Sequence, residues 1–138
     1  MTLSAATMRT ALTGGLLALV LVMTSCATSS EADGKVAVAG PREAVSLIAT
    51  GDYLVVDLRS PEAYAAGHVK GARNLPFNAG DFADELSRLD VNARYLLYAR
   101  DPEVADRASD VMASLDFEHV VDAGSFGLLA LAGAPVVE

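Results

Sequence analysis

The chain has one cysteine, Cys26, in 138 residues, which excludes an internal disulfide and any metal site built on several thiolates. Histidine is almost as rare. His68 and His119 stand far apart without ligand-like neighbours, so no histidine metal site is expected, and no cofactor is called for. Positive charge is also in short supply: ten Lys and Arg face eighteen Asp and Glu, a formal net charge of −8. Arg9 is the only charged residue before Cys26, so the remainder is more acidic still. Such a domain repels nucleic-acid phosphate and anionic lipid surfaces, and electrostatic binding to either is excluded on net charge. Long apolar runs are missing too. The one substantial run, ALTGGLLALVLVM (Ala11–Met23), has 13 residues, too few for a stable helix across roughly 30 Å of hydrocarbon.

What remains is an apolar-rich chain, 52% hydrophobic and 20% charged, long enough for one folded domain. Arg9 followed by the short apolar run reads as a secretory signal peptide. No A-x-A cleavage site follows; the run leads instead into MTSC, ending at Cys26. Thr24, Ser25 and Cys26 make this stretch resemble a bacterial lipoprotein signal, with Met23 where leucine is commoner. The resemblance implies cleavage before Cys26, lipidation of its sulfur and acylation of the new amino group. Several acyl chains on one residue anchor stably where a single chain binds only marginally. ATSSEADG (27–34) is small, polar and aperiodic, the composition of a flexible tether. The expected organisation is a signal peptide over 1–25, a lipidated cysteine and tether over 26–35, and a domain over 36–138. The protein is then exported and anchored to the cell membrane, with its domain outside the cytoplasm.

Strand-like and helix-like segments alternate along that domain. KVAV is a short β-prone run, and Pro41 suits the first turn of a helix whose Ala44, Val45, Ile48 and Ala49 share one face. YLVVDL (53–58) is continuously apolar up to Asp57, as in a strand buried on both faces. In SPEAYAAG, Ser60 suits an N-cap, Pro61 the first helical position and Gly67 the stop. GARNLPF offers a brief strand ended by Pro76. DFADELSRL puts Phe82, Leu86 and Leu89 on one face, with Asp81 suited to the N-cap. RYLLYA is the most apolar strand, and EVADRASDVMASL groups Val104, Ala108, Val111, Met112 and Leu115 on one helical side. EHVVDA is a last strand, SFGLLALAG a short helix and APVVE a tail. The pattern predicts an α/β fold, a single domain with a mostly parallel central sheet flanked by helices on both faces.

DLRSPEAYAAGHVKGARNLPF (57–77) resembles the first signature of rhodanese-like domains, with Asp57, Arg59, Glu62, Gly67, His68, Gly71, Ala72, Asn74 and Pro76 in register. DAGSFGLLALAGAPVV (122–137) resembles the family's closing segment, although Ser125 replaces a turn glycine and the usual helix tryptophan is absent. Physically the first block reads as architecture. Asp57 and Arg59, at the end of a buried strand, can brace neighbouring loops through charge-assisted hydrogen bonds, and His68 is expected to bridge backbone groups between a helix and a strand.

In active members of that family, the resemblance implies, the strand corresponding to RYLLYA ends in a cysteine that carries sulfur as a persulfide. A loop before a helix N-terminus suits such an anion. Here Ala99 stands at the cysteine position, which leaves no nucleophile. The expected vestigial loop runs through Ala99, Arg100, Asp101, Pro102, Glu103, Val104 and Ala105. Arg100 keeps a cation, but Asp101 and Glu103 add negative charge, and Pro102 has no N–H to offer. No residue of this chain is assigned as catalytic. The reading is a non-catalytic binding or accessory module, whose protein partner or small ligand meets a loop pocket with Arg100, Asp101 and Glu103 at its mouth. The alternative is a sulfurtransferase-related protein that binds a sulfur donor or acts with a partner's thiol.

Overall fold

The computed structural model describes residues 35–138; the signal-peptide, Cys26 and tether expectations fall on 1–34, outside the described residues. Five strands form one sheet: β1 (Val36–Val38), β2 (Leu54–Asp57), β4 (Arg73–Asn74), β5 (Arg94–Ala99) and β6 (His119–Ser125). Their order is β1-β6-β5-β2-β4, and every pairing is parallel. Parallel neighbours require crossovers, here supplied by α1 (Pro41–Thr50), α2 (Pro61–Ala65), α3 (Phe82–Leu86) and α4 (Pro102–Ser114), whereas α5 (Phe126–Leu131) follows the last strand of this sheet.

β5 lies at the centre, and all of its residues after Arg94 are buried. Its alternation divides the core. Tyr95, Leu97 and Ala99 pack with Phe82 and Leu86 of α3 and with Ala105, Ala108 and Met112 of α4. Leu96 and Tyr98 pack on the other face with Ala44 of α1 and Leu129 of α5. Helices therefore cover both faces, and the fully apolar reading of this strand follows from its two-sided burial.

Several local features follow directly from residue type. Gly51 ends α1 in the left-handed region at φ 77°. Ser60 caps α2, its hydroxyl accepting from the Ala63 N–H at 3.3 Å, with Pro61 at the first helical position. Other details differ from expectation. Asp81 precedes α3 but its side chain caps nothing, and α3 ends at Leu86, so Leu89 reaches the core from the following turn. On α1, Leu47 packs inward while Ala49 is exposed, and Leu115 at the end of α4 is 42% exposed.

One element was not anticipated. The closing VV forms β7 (Val136–Val137), antiparallel to β3 (His68–Val69), with His68 opposite Val137. The Lys70 N–H also donates to the Pro135 carbonyl at 2.7 Å. The closing APVVE thus forms a strand, not a tail, and clasps the glycine–histidine turn of the first motif.

Candidate functional site

In open parallel sheets, ligands meet the carboxyl ends of the strands. Here β5 ends in Ala99, which is 1% exposed. Arg100 and Asp101 follow, both exposed, and neither side chain makes a hydrogen bond or ion pair among the described residues. Helix α4 begins at the very next residue, Pro102. The seven-residue loop expected over 99–105 is therefore not a loop. Ala99 belongs to the strand, Pro102, Glu103, Val104 and Ala105 belong to the helix, and only two residues lie between. The cause is local. Asp101 takes an extended N-cap conformation, and Pro102 has the φ that the first helical position needs. The Val104 N–H already bonds the Asp101 carbonyl at 3.1 Å, and Ala105 is wholly buried in the core.

This geometry disfavours an anion. The helix N-terminus carries partial positive charge, but two of the chain's own carboxylates, Asp101 and Glu103, already sit there. Beside it β6 carries a bulge: Leu97 faces Asp122, but Ala99 faces Ser125, so β6 holds one extra residue. Gly124 occupies that bulge at φ 71°, and a Cβ placed on it would lie 4.0 Å from the Pro102 Cβ. Asp122, buried just before the bulge, accepts from the Gly124 N–H at 2.8 Å. Burial pushes its carboxyl above the ordinary range, against the pull of that hydrogen bond.

The adjacent strand end is organised differently. Asp57 is fully buried and faces Tyr98 in the register. Its Oδ1 accepts from the Arg59 backbone N–H at 2.9 Å and from Arg59 Nε at 3.0 Å. Its Oδ2 accepts from Arg59 Nη2 at 2.6 Å and from the Tyr98 hydroxyl at 2.7 Å. Arg59 Nη2 also donates to the Gly67 carbonyl at 2.6 Å, and the guanidinium lies 3.8 Å from the Phe126 ring centre. Asn74 Nδ2 ties the Asp57 and Arg59 carbonyls to β4. Burial works against the Arg59 charge, yet hydrogen bonding and attraction to Asp57 outweigh it and raise its pKa. Burial, then the hydrogen bond to Asp57, drives the Tyr98 hydroxyl well above its usual range.

His68 lies in β3 with Nδ1 3.0 Å from the Tyr64 carbonyl, and its ring stacks on Tyr64 at 3.8 Å. It joins α2 to β3. Tyr98 was read only as one more apolar strand residue. The available signal was that a buried phenol needs a polar partner, and the neighbouring strand ends in Asp57. Phe126 carried no such signal.

A cleft of ≈ 290 Å³ opens next to this network, lined by Leu58, Ser60, Pro61, Pro76, Asn78 and Ala79. The Leu58 N–H donates to the Tyr98 carbonyl, which places the cleft one strand over from Ala99. Arg100, Asp101 and Glu103, expected at the mouth of a loop pocket at Ala99, do not line this cleft. Among the described residues, no three His, Cys, Asp or Glu side chains cluster as metal ligands, and no helix is long and apolar enough to cross a membrane.

Comparison with known proteins places this geometry. The rhodanese-like domain family matches residues 40–126. The thiosulfate sulfurtransferase GlpE of Pseudomonas entomophila (strain L48) is 34% identical over 86 residues, covering 61% of this chain and 76% of that protein. Among solved structures, the rhodanese-like domain of the Alr3790 protein from Anabaena sp. superposes with a TM-score of 0.64 at 24% identity, covering 72% of this chain and 76% of that one. A full-length protein from Lactobacillus plantarum superposes with a TM-score of 0.59 at 26% identity, covering 72% and 85%.

Proposed function

The chain belongs to the rhodanese-like domain family, and from that premise we propose that it is an exported, membrane-anchored member without the nucleophilic cysteine, serving as a binding or accessory module. One observation carries the reading: the strand that would present the nucleophile ends in buried Ala99, and the next helix starts at Pro102. Covalent sulfur transfer needs a thiolate, and no cysteine occurs among residues 35–138. The two carboxylates at the helix start oppose a bound sulfur anion as well. Cys26 serves as the lipid attachment point, ahead of the domain. The ligand side of the module is the cleft beside Leu58 and Pro76, open to a protein partner or a small molecule.

The relative from Pseudomonas entomophila is named for thiosulfate sulfurtransferase activity, so the assay is direct. The full chain, incubated with thiosulfate and cyanide, is expected to produce no thiocyanate above a protein-free control. Turnover that disappeared in an Arg100→Ala variant would overturn the reading. Ala99→Cys is expected to remain silent too, because it restores the thiol without lengthening the connection or removing the acids. Incorporation of labelled palmitate, lost in Cys26→Ser, tests the anchor.

A further inference from the structure

A second cleft, of ≈ 260 Å³, lies at the amino-terminal edge of the sheet, the end opposite Ala99. Its composition is unusual for so acidic a domain. Arg94 faces His119 directly in the β5–β6 register. Val36 faces Val120, so Lys35 stands beside His119, and the Val120 N–H donates to the Lys35 carbonyl at 3.0 Å. Leu54 faces Tyr95, so Tyr53 stands beside Arg94. Lys35, His119, Arg94 and Tyr53 thus form one row across four adjacent strands, and all four line the cleft. Side chains in one register row of a parallel sheet share a face, and Ala37 and Val121, two residues further along, form the cleft's inner wall.

We propose that this row binds a single phosphate-type oxyanion. Arg94 and His119 are exposed and make no ion pair among the described residues, leaving a guanidinium fork and an imidazole free for a ligand. Lys35 is held at the rim by Asp116 at 2.8 Å, and Tyr53 adds a hydroxyl donor. Glu118 also lines the cleft. Lys35 is already engaged by Asp116, so Arg94 and the His119 imidazole face the ligand beside Glu118, and the row suits one anionic group and not a polyanion. Net charge excludes extended nucleic acid or lipid surface, but it does not describe this row. The same phosphate chemistry has two sources, a free phosphate and a lipid headgroup. The headgroup source rests on the proposed anchor, since Cys26 is nine residues from Lys35 and that span reaches at most about 30 Å.

The test uses the full chain in maltoside micelles, following the Arg94 side-chain N–H and the His119 ring by NMR. Titration with inorganic phosphate is expected to shift both resonances saturably, beyond chloride at equal ionic strength. Arg94→Gln should weaken that response by about tenfold, the scale of one charged hydrogen bond, and His119→Gln should weaken it less. Both side chains are exposed and unpaired, and either variant suffices should the other fail to fold. In a second arm, the chain in phosphatidylcholine nanodiscs is compared with and without phosphatidylglycerol. A shift of the same resonances on adding phosphatidylglycerol identifies the headgroup as a source. Loss of that shift alone in Cys26→Ser supports the anchor, whereas its persistence there counts against the anchor and leaves the oxyanion site standing. If neither phosphate nor phosphatidylglycerol moves these resonances beyond the chloride control, or if both variants respond like wild type, the site is refuted.

Discussion

Two neighbouring strand ends behave in opposite ways. At the end of β2, Asp57 accepts four hydrogen bonds from Arg59 and one from Tyr98, and no buried side-chain polar atom of the described residues lacks a partner. At the end of β5, one strand away, Arg100, Asp101 and Glu103 are exposed, and their side chains have no ionic partner among the described residues. Both regions belong to the stretch that matches the family. A buried ionic network is held in place by stability, because removing any member strands the others in low dielectric. An exposed connection is under no such constraint from the fold, and its residues can vary without a stability cost of that kind. The contrast teaches that the residues holding the fold and the residues of the exposed connection are constrained by different physics.

The largest expected effect tests the retained half. Asp57→Ala leaves the Arg59 guanidinium buried without its anion and should cost about 3–5 kcal/mol in urea unfolding. Tyr98→Phe removes one donor to Asp57 and orphans the Val69 N–H, which donates to the hydroxyl at 3.1 Å; roughly 1–3 kcal/mol should be lost. Gly124→Ala sits on the boundary between the regions. Its added Cβ clears Pro102, but φ 71° strains any side chain, and about 1–2 kcal/mol is expected. A loss as large as that for Asp57→Ala would mean that the bulge, too, is under strong structural constraint.

Asp122 gives a pH-dependent test. Its carboxyl pKa is raised by burial, so as pH rises the unfolded carboxyl ionises before the folded one. Between the two pKa values the native state holds more protons, and stability falls as pH rises. Asp122→Asn, which can still accept from the Gly124 N–H, should therefore be more stable than wild type at pH 7. That advantage should shrink as pH drops below the raised pKa and be gone below the pKa of the unfolded carboxyl, measured by thermal unfolding across pH. The smallest effect belongs to the altered half: Glu103→Gln removes one charge from the start of α4 and should cost under about 1 kcal/mol.

Much of the fold was legible because burial writes itself into composition. YLVVDL, apolar up to Asp57, reads as a strand covered on both faces, RYLLYA as the most apolar strand, and alternation with amphipathic segments implies parallel crossovers. Less was legible where partners are distant. The β7 residues are two exposed valines whose pairing with His68 and Val69 no local pattern announces. The site connection was misjudged for a different reason. Asp101–Pro102 is itself a helix start, an N-cap position before a first-turn proline, and this local signal competes with the seven-residue loop that the family resemblance implies. Tyr98 was missed because strand hydropathy does not distinguish a phenol that packs from one that also donates.

The strand order has a consequence for how the chain comes into being. β1 has a single neighbour, β6, and the neighbours of β2 are β4 and β5. A growing chain that has reached Val91 holds β1, β2 and β4, yet β1 has nothing to pair with and β2 has only the two-residue β4. Assembly waits for the last third of the polypeptide, and the β3–β7 clasp waits for the final residues. Such late, long-range closure makes folding slow. The nascent chain therefore stays pliable until nearly all of its strands have been made.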